Sequence, residues 1–181
     1  MPDLLRPEIA DAVDAADATL LADLVDAMEA RFGDDSRRIA HALKVLDRAQ
    51  EILAHEQADV RVVFAAAVLH DIGIQEAERK HGSSAGGYQE IEGPPIARPI
   101  MEGLGMGEDT VDHVCRIIAN HHSARDIDTP EFRVIWDADW LVNLPDDFGH
   151  LAHDKLCELA ETVFKTPTGH RLGQELMAEM A

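Results

Sequence analysis

Val62 to Leu69 reads VVFAAAVL, the longest unbroken apolar run in the chain, and it limits the possible folds more than any other stretch. A segment apolar on every side must be covered on every side, so it belongs at the centre of whatever surrounds it. The alanine content and polar flanks of Arg61 to Ile72 favour a helix over a strand. The run is far too short to cross a bilayer. It ends abruptly in AAVLHDIGI, residues 66–74, where a histidine and an aspartate stand side by side before a glycine. A buried carboxylate without a partner costs roughly several kcal/mol, so Asp71 requires a cation or hydrogen bonds.

The rest of the chain supplies helices to do the covering. Residues 8–32 suit one or two acidic helices ending near Gly33. Asp34, Asp35 or Ser36 can cap a helix from Arg37 to about His55, with Ile39, Leu43, Leu46, Ala49 and Leu53 on one stripe. Glu108 to His122 is amphipathic through Val111, Cys115, Ile118 and His122. Glu131 to Asn143, 151–165 and 170–180 read as three more helices. Alternating β-branched runs are scarce, so the expected class is all-α. Residues 73–93, rich in Gly and Ser, read as a long loop of the kind that serves as a lid. In PPIARPIMEGLG a helix can open at Pro95 but Pro99 damages its second turn, which puts the start at 95–99. At 181 residues the chain fits one domain, 36–181, preceded by a helical extension over 1–35.

Charge and cysteine usage narrow the function classes. The net charge of −19 disfavours nucleic-acid polymers and anionic membranes as partners. The acidic N-terminal stretch lacks the layout of a secretion signal. Cys115 and Cys157 show no Cys-x-x-Cys spacing, which indicates neither a disulfide framework nor a thiolate zinc site. A soluble cytoplasmic protein is expected, with self-association left open.

Ten histidines are many for this length, and their placement is informative. His41 follows the stripe of Val45, Ala49 and Ile52, so it faces inward. His70 and Asp71 close the buried helix. Asp139, in WDADWLVN, lies seven residues after Phe132 and four after Ile135 on the inward stripe of its helix, which favours it over Asp137. Two imidazoles and two carboxylates facing inward make a mixed nitrogen and oxygen site for a divalent ion such as Mn, Fe, Zn, Ni or Co.

The ordered set His41, His70-Asp71, Asp139, with AAVLHDIG and ADWL as context, resembles the HD-domain metal-dependent phosphohydrolase superfamily from about Ser36 to Leu144. The resemblance implies an all-α fold of five or more helices and hydrolysis of phosphoesters, commonly in nucleotides. It makes His41, His70, Asp71 and Asp139 the ligands of one divalent ion, Mg among the candidates, with Asp71 able to bridge to a second. Two-metal relatives add a histidine before a segment like GPPIA and a His-His pair downstream. This chain has the pair, His121-His122, but before GPPIA only Gln89, Glu90 and Glu92, of which Glu92 is the candidate replacement. The Gly-Tyr-Pro signature of the cyclic-dinucleotide branch is missing, since SARDIDTP follows His122.

The expected activity is therefore hydrolysis of a small phosphorylated metabolite, a nucleotide or other phosphomonoester. A two-metal phosphodiesterase and a non-catalytic nucleotide-binding module are the alternatives. Catalysis would rest on His70, Asp71 and Lys80. In so acidic a chain the substrate cations stand out as Lys80 and Arg79 in the loop, Arg98 after the prolines and Arg125 after the histidine pair, with Lys80 and His81 the preferred contacts. GSSAG, which offers Ser84 as a nucleophile, lacks the preceding strand that such an elbow needs. HEQAD, from His55, lacks the second histidine of a zinc-protease motif.

Overall fold

The computed structural model describes residues 4–180; Met1 to Asp3 and Ala181, parts of the expected extension and domain, lie outside the described residues. After a 3-10 turn at Ala10–Ala12 come α1 (Ala15–Phe32), α2 (Ser36–Leu53), α3 (Val60–Leu69), α4 (Ile74–His81) and α5 (Gly86–Gly103). They are followed by α6 (Glu108–Ile118), α7 (Pro130–Phe148), α8 (His153–Val163) and α9 (Pro167–Glu179). Among the described residues there is no strand, and the all-α expectation holds. None of these helices is long and apolar enough to cross a membrane.

The apolar run is the axis of the molecule. Every residue of α3 from Val62 to Leu69 is buried, and α1, α2, α5, α6 and α7 all pack against it. Burying a side chain such as Phe64 is worth about 1.5–3 kcal/mol, so this helix is held by its neighbours rather than by propensity. Asp59 starts it by accepting hydrogen bonds from the Arg61 and Val62 N–H groups. Asp35 does the same for α2 through the Arg38 N–H. Leu21, Leu24 and Met28 of α1 are fully buried in the same core. The α8–α9 hairpin closes the far side of α7.

Residues 73–93 are not a loop. Helix α4 occupies Ile74–His81, and α5 begins at Gly86, leaving four residues between them. IQEAERKH is built from good helix formers, and Glu76 pairs with both Arg79 and Lys80 at three- and four-residue spacing. Gly82, at φ 65°, ends α4 in the left-handed conformation that an L side chain resists. The turn Gly82–Ala85 is too short to serve as the lid expected to carry Lys80 and His81, which stand on the last turn of α4 instead.

Helix α5 likewise starts well before the prolines and runs through Pro94, Pro95 and Pro99. Pro95 and Pro99 are four residues apart and both exposed, as is Ile91 one turn earlier. The carbonyls they deprive of a helical donor, those of Ile91 and Pro95, therefore belong to the solvent-facing side, where water can answer them. The opposite face buries Glu92, Gly93, Ala97 and Met101, and that packing carries the helix past its breakers.

Candidate metal centre

Two helices and two helix ends bring the expected residues together. His41 projects from the second turn of α2, the helix that packs most closely on α7, which presents Asp139. His70 caps the C-terminus of α3 and Asp71 follows it. His121 and His122 lie just after α6, which ends at Ile118 rather than continuing to His122. His121 is the buried member of the pair and the His122 side chain is partly exposed.

The first group is tight. His41 Nε2 lies 3.3 Å from His70 Nε2, 3.2 Å from Asp139 Oδ1 and 3.6 Å from Asp71 Oδ2. His70 Nε2 is 3.5 Å from Asp71 Oδ2 and 3.7 Å from Asp139 Oδ1. The other oxygen of Asp71 faces the second group, 3.3 Å from His121 Nε2 and 4.0 Å from His122 Nε2. Two clusters of potential ligands, His41–His70–Asp71 and Asp71–His121–His122, thus share one carboxylate.

The donor chemistry fits a cation. His70 Nδ1 donates to the Ala67 carbonyl at 2.9 Å and His121 Nδ1 donates to the Ile118 carbonyl at 2.7 Å. In its neutral form each ring is thereby fixed with its Nε2 lone pair turned inward, the second-sphere arrangement that orients metal-binding histidines. Those lone pairs and three carboxylate oxygens converge, and acceptors facing acceptors are answered only by a proton or a metal ion. The Asn143 Nδ2 donates to Asp139 Oδ1 at 2.8 Å from one turn along α7, holding that carboxylate in place.

The electrostatics agree. Burial alone would raise the Asp71 carboxyl, but the imidazoles of His70, His121 and His41 outweigh it and hold the group far below the usual range. Asp139 is lowered in the same way, burial opposing and His41 and His70 prevailing. Burial keeps the His70 imidazole neutral by lowering its pKa. His122 is pushed down to about 4 by burial and by His121 beside it. For His41 and His121 burial is overcome by Asp139 and Asp71, and both are raised.

The remaining expected residues are held by other partners. Glu92 is buried, and its two oxygens are held by Lys80 Nζ at 2.7 Å and His81 Nε2 at 2.9 Å. Arg98 pairs with Asp112 at 2.5 Å and Arg125 with Glu90 at 3.4 Å. Asp137, the competitor of Asp139, accepts hydrogen bonds from the Lys165 and Thr166 N–H groups and the Thr166 hydroxyl, at 2.7, 2.8 and 2.7 Å. It anchors the start of α9 and takes no part in the cluster.

The supports around the cluster leave little trace in the sequence. Gly73 is there because the backbone of α5 passes against it: a Cβ on Gly73 would lie 2.5 Å from the Gly93 nitrogen. A Cβ on Gly86 would meet the His122 ring at 2.6 Å. Glu90 accepts hydrogen bonds from the His122 and Ser123 N–H groups, which fixes the turn that carries the histidine pair. Only Asn143 left a signal, its four-residue spacing from Asp139.

A family model described as HD domain matches residues 38–144. The chain belongs to the HD-domain family. The match covers His41, His70, Asp71, the histidine pair and Asp139, so both groups of the HD domain fall inside it. The HD fold also superposes on the crystal structure of a predicted HD superfamily hydrolase from an uncultured Thermotogales bacterium, with a TM-score of 0.66. The two are 23% identical, over 87% of this chain and 85% of the other, a likeness of fold. No curated protein matches the chain.

Proposed function

We propose that this HD domain is a metal-dependent phosphohydrolase acting on a small phosphomonoester, with a nucleotide as the favoured substrate. The observation that carries the proposal is Asp71, one carboxylate with an oxygen turned to each of two histidine groups. His41, His70, Asp71 and Asp139 would hold one divalent ion, and Asp71 with His121 and His122 would hold a second. An ion held there would supply Lewis acidity, able to polarise a phosphoryl oxygen and to lower the pKa of a coordinated water from about 16 towards 7.

The chain's own residues set up that chemistry. The Ala67 and Ile118 carbonyls hold His70 and His121 in the tautomer that offers Nε2. Asn143 keeps Asp139 aimed at His41. Asp71 stays ionised and is the carboxylate available to orient an attacking water. His122, half-exposed where His121 is buried, is the imidazole of the pair that solvent reaches.

The second donor group favours a second reading, a two-metal phosphodiesterase. Phosphate release is to be measured over nucleoside monophosphates, sugar phosphates and phosphodiesters with Mn, Co, Ni and Mg in turn. The phosphomonoesterase reading expects release from monoesters, lost in His70→Ala and Asp71→Ala together with bound metal. Cleavage of diesters alone with two ions per chain would establish the second reading. Variants as active as wild type would overturn both.

A further inference from the structure

One face of the HD domain adjoins the proposed centre and carries no assigned role. A groove of about 610 Å³ runs between α2, α7 and α9, lined by Lys44 and Arg48, by Leu141, Val142 and Pro145, and by Leu176. Lys44 follows His41 by three residues on α2, and Val142 follows Asp139 by three on α7. Residues three apart on a helix share a face, so the groove opens one turn from two of the proposed ligands. Its volume falls within the range of about 300–1,000 Å³ typical of small-molecule sites.

The lining is divided by chemistry. Leu141, Val142, Pro145 and Leu176 form an apolar floor. Pro145 has no N–H, so the carbonyl of Leu141 loses its helical donor and is left as an acceptor. On the other wall, Arg48 is engaged by Glu51 at 2.7 Å, and Asp47 by Arg6 at 3.0 Å. Lys44 is exposed and enters no ion pair among the described residues, whereas Lys80, Arg98 and Arg125 are each engaged by a carboxylate. A cation one helical turn from the proposed ligands, an apolar floor and a carbonyl freed by Pro145 match a phosphate joined to a ring that carries N–H donors.

We propose that this groove receives the organic part of a nucleoside monophosphate, with Lys44 meeting the phosphate where the groove reaches the His41–Asp139 end of the cluster. This rests on the phosphohydrolase reading and names its substrate class. It moves the substrate cation from Lys80, Arg98 and Arg125 to Lys44. The floor takes the base by apolar contact, and the freed Leu141 carbonyl accepts from an exocyclic amine.

The test is calorimetric binding to manganese-loaded protein of a phosphonate analogue of AMP, in which a methylene replaces the ester oxygen, and of inorganic phosphate. Wild type, Lys44→Met and Val142→Trp are compared, with the manganese-induced rise in melting temperature confirming that both variants fold and hold metal. Both variants are expected to bind the analogue about tenfold or more weakly, and only Lys44→Met to weaken inorganic phosphate. A wild type that does not bind the analogue, or either variant binding it as wild type does, overturns the proposal. Phosphate release from AMP is followed separately. Binding through the groove without release sinks the phosphohydrolase reading alone, and release with unchanged binding in either variant sinks the groove alone.

Discussion

Asp137 and Asp139 stand two residues apart on α7 and have no partner in common. Asp137 answers two backbone N–H groups and a hydroxyl at the start of α9, while Asp139 faces His41 and Asn143. Asp137→Ala is expected to cost about 3 kcal/mol, because it strands buried donors. Asp139→Ala should leave α9 intact and remove metal binding. Chemical denaturation alongside metal titration separates the two, and equal effects on both properties would merge them. The raised imidazoles give a second prediction. His41 and His121 must lose their protons to bind a cation, and both are held above the ordinary value of 6.5 by neighbouring carboxylates. Metal affinity should therefore rise as pH increases through the range above 6.5, with protons released on binding. Titrations in two buffers of different ionisation enthalpy count those protons, and a flat pH profile would contradict the account.

At the scale of elements, the legible parts were those with a strong apolar pattern. The axial run of α3 and the stripes of α2 and α7 could be read, and with them the inward aim of His41 and Asp139. The segments α4 and the first two turns of α5 could not. Ile74 and Ala77 give α4 too little apolar face to register, and α5 is held by tertiary burial against its own prolines. Lys80 and His81 stand on α4 rather than on a lid, and Glu92 pairs with both. Side-chain pairing of this kind has no period in a sequence, so neither the engagement of Arg98 and Arg125 nor the open position of Lys44 was readable. The close approach of Gly73 to Gly93 yields a prediction of its own. Gly73→Ala drives a Cβ into rigid backbone and should destabilise the fold by about 1–3 kcal/mol, measured by denaturation. Pro99→Ala, on the exposed face of α5, should stabilise it by about 1–2 kcal/mol with phosphate release unchanged. The opposite signs would mean that α5 is placed otherwise.

Over the whole molecule, an apolar axis supports a ring of helices, and the polar groups that interrupt the axis gather where its helix ends. The excess of carboxylates works against compactness, since a net charge of −19 repels itself. Raising monovalent salt to about 0.5 M should therefore raise the melting temperature, and a fall would show that paired surface charges dominate instead. A bound divalent ion would act in the same direction from inside, by neutralising carboxylates at the end of the axial helix. The direct test is the number of divalent ions per chain, measured by elemental analysis after stripping and reloading with manganese. Wild type should retain at least one ion and Asp71→Ala none, with phosphate release following the metal. A reloaded wild type without metal, or an Asp71→Ala variant holding as much as wild type, would contradict the central claim.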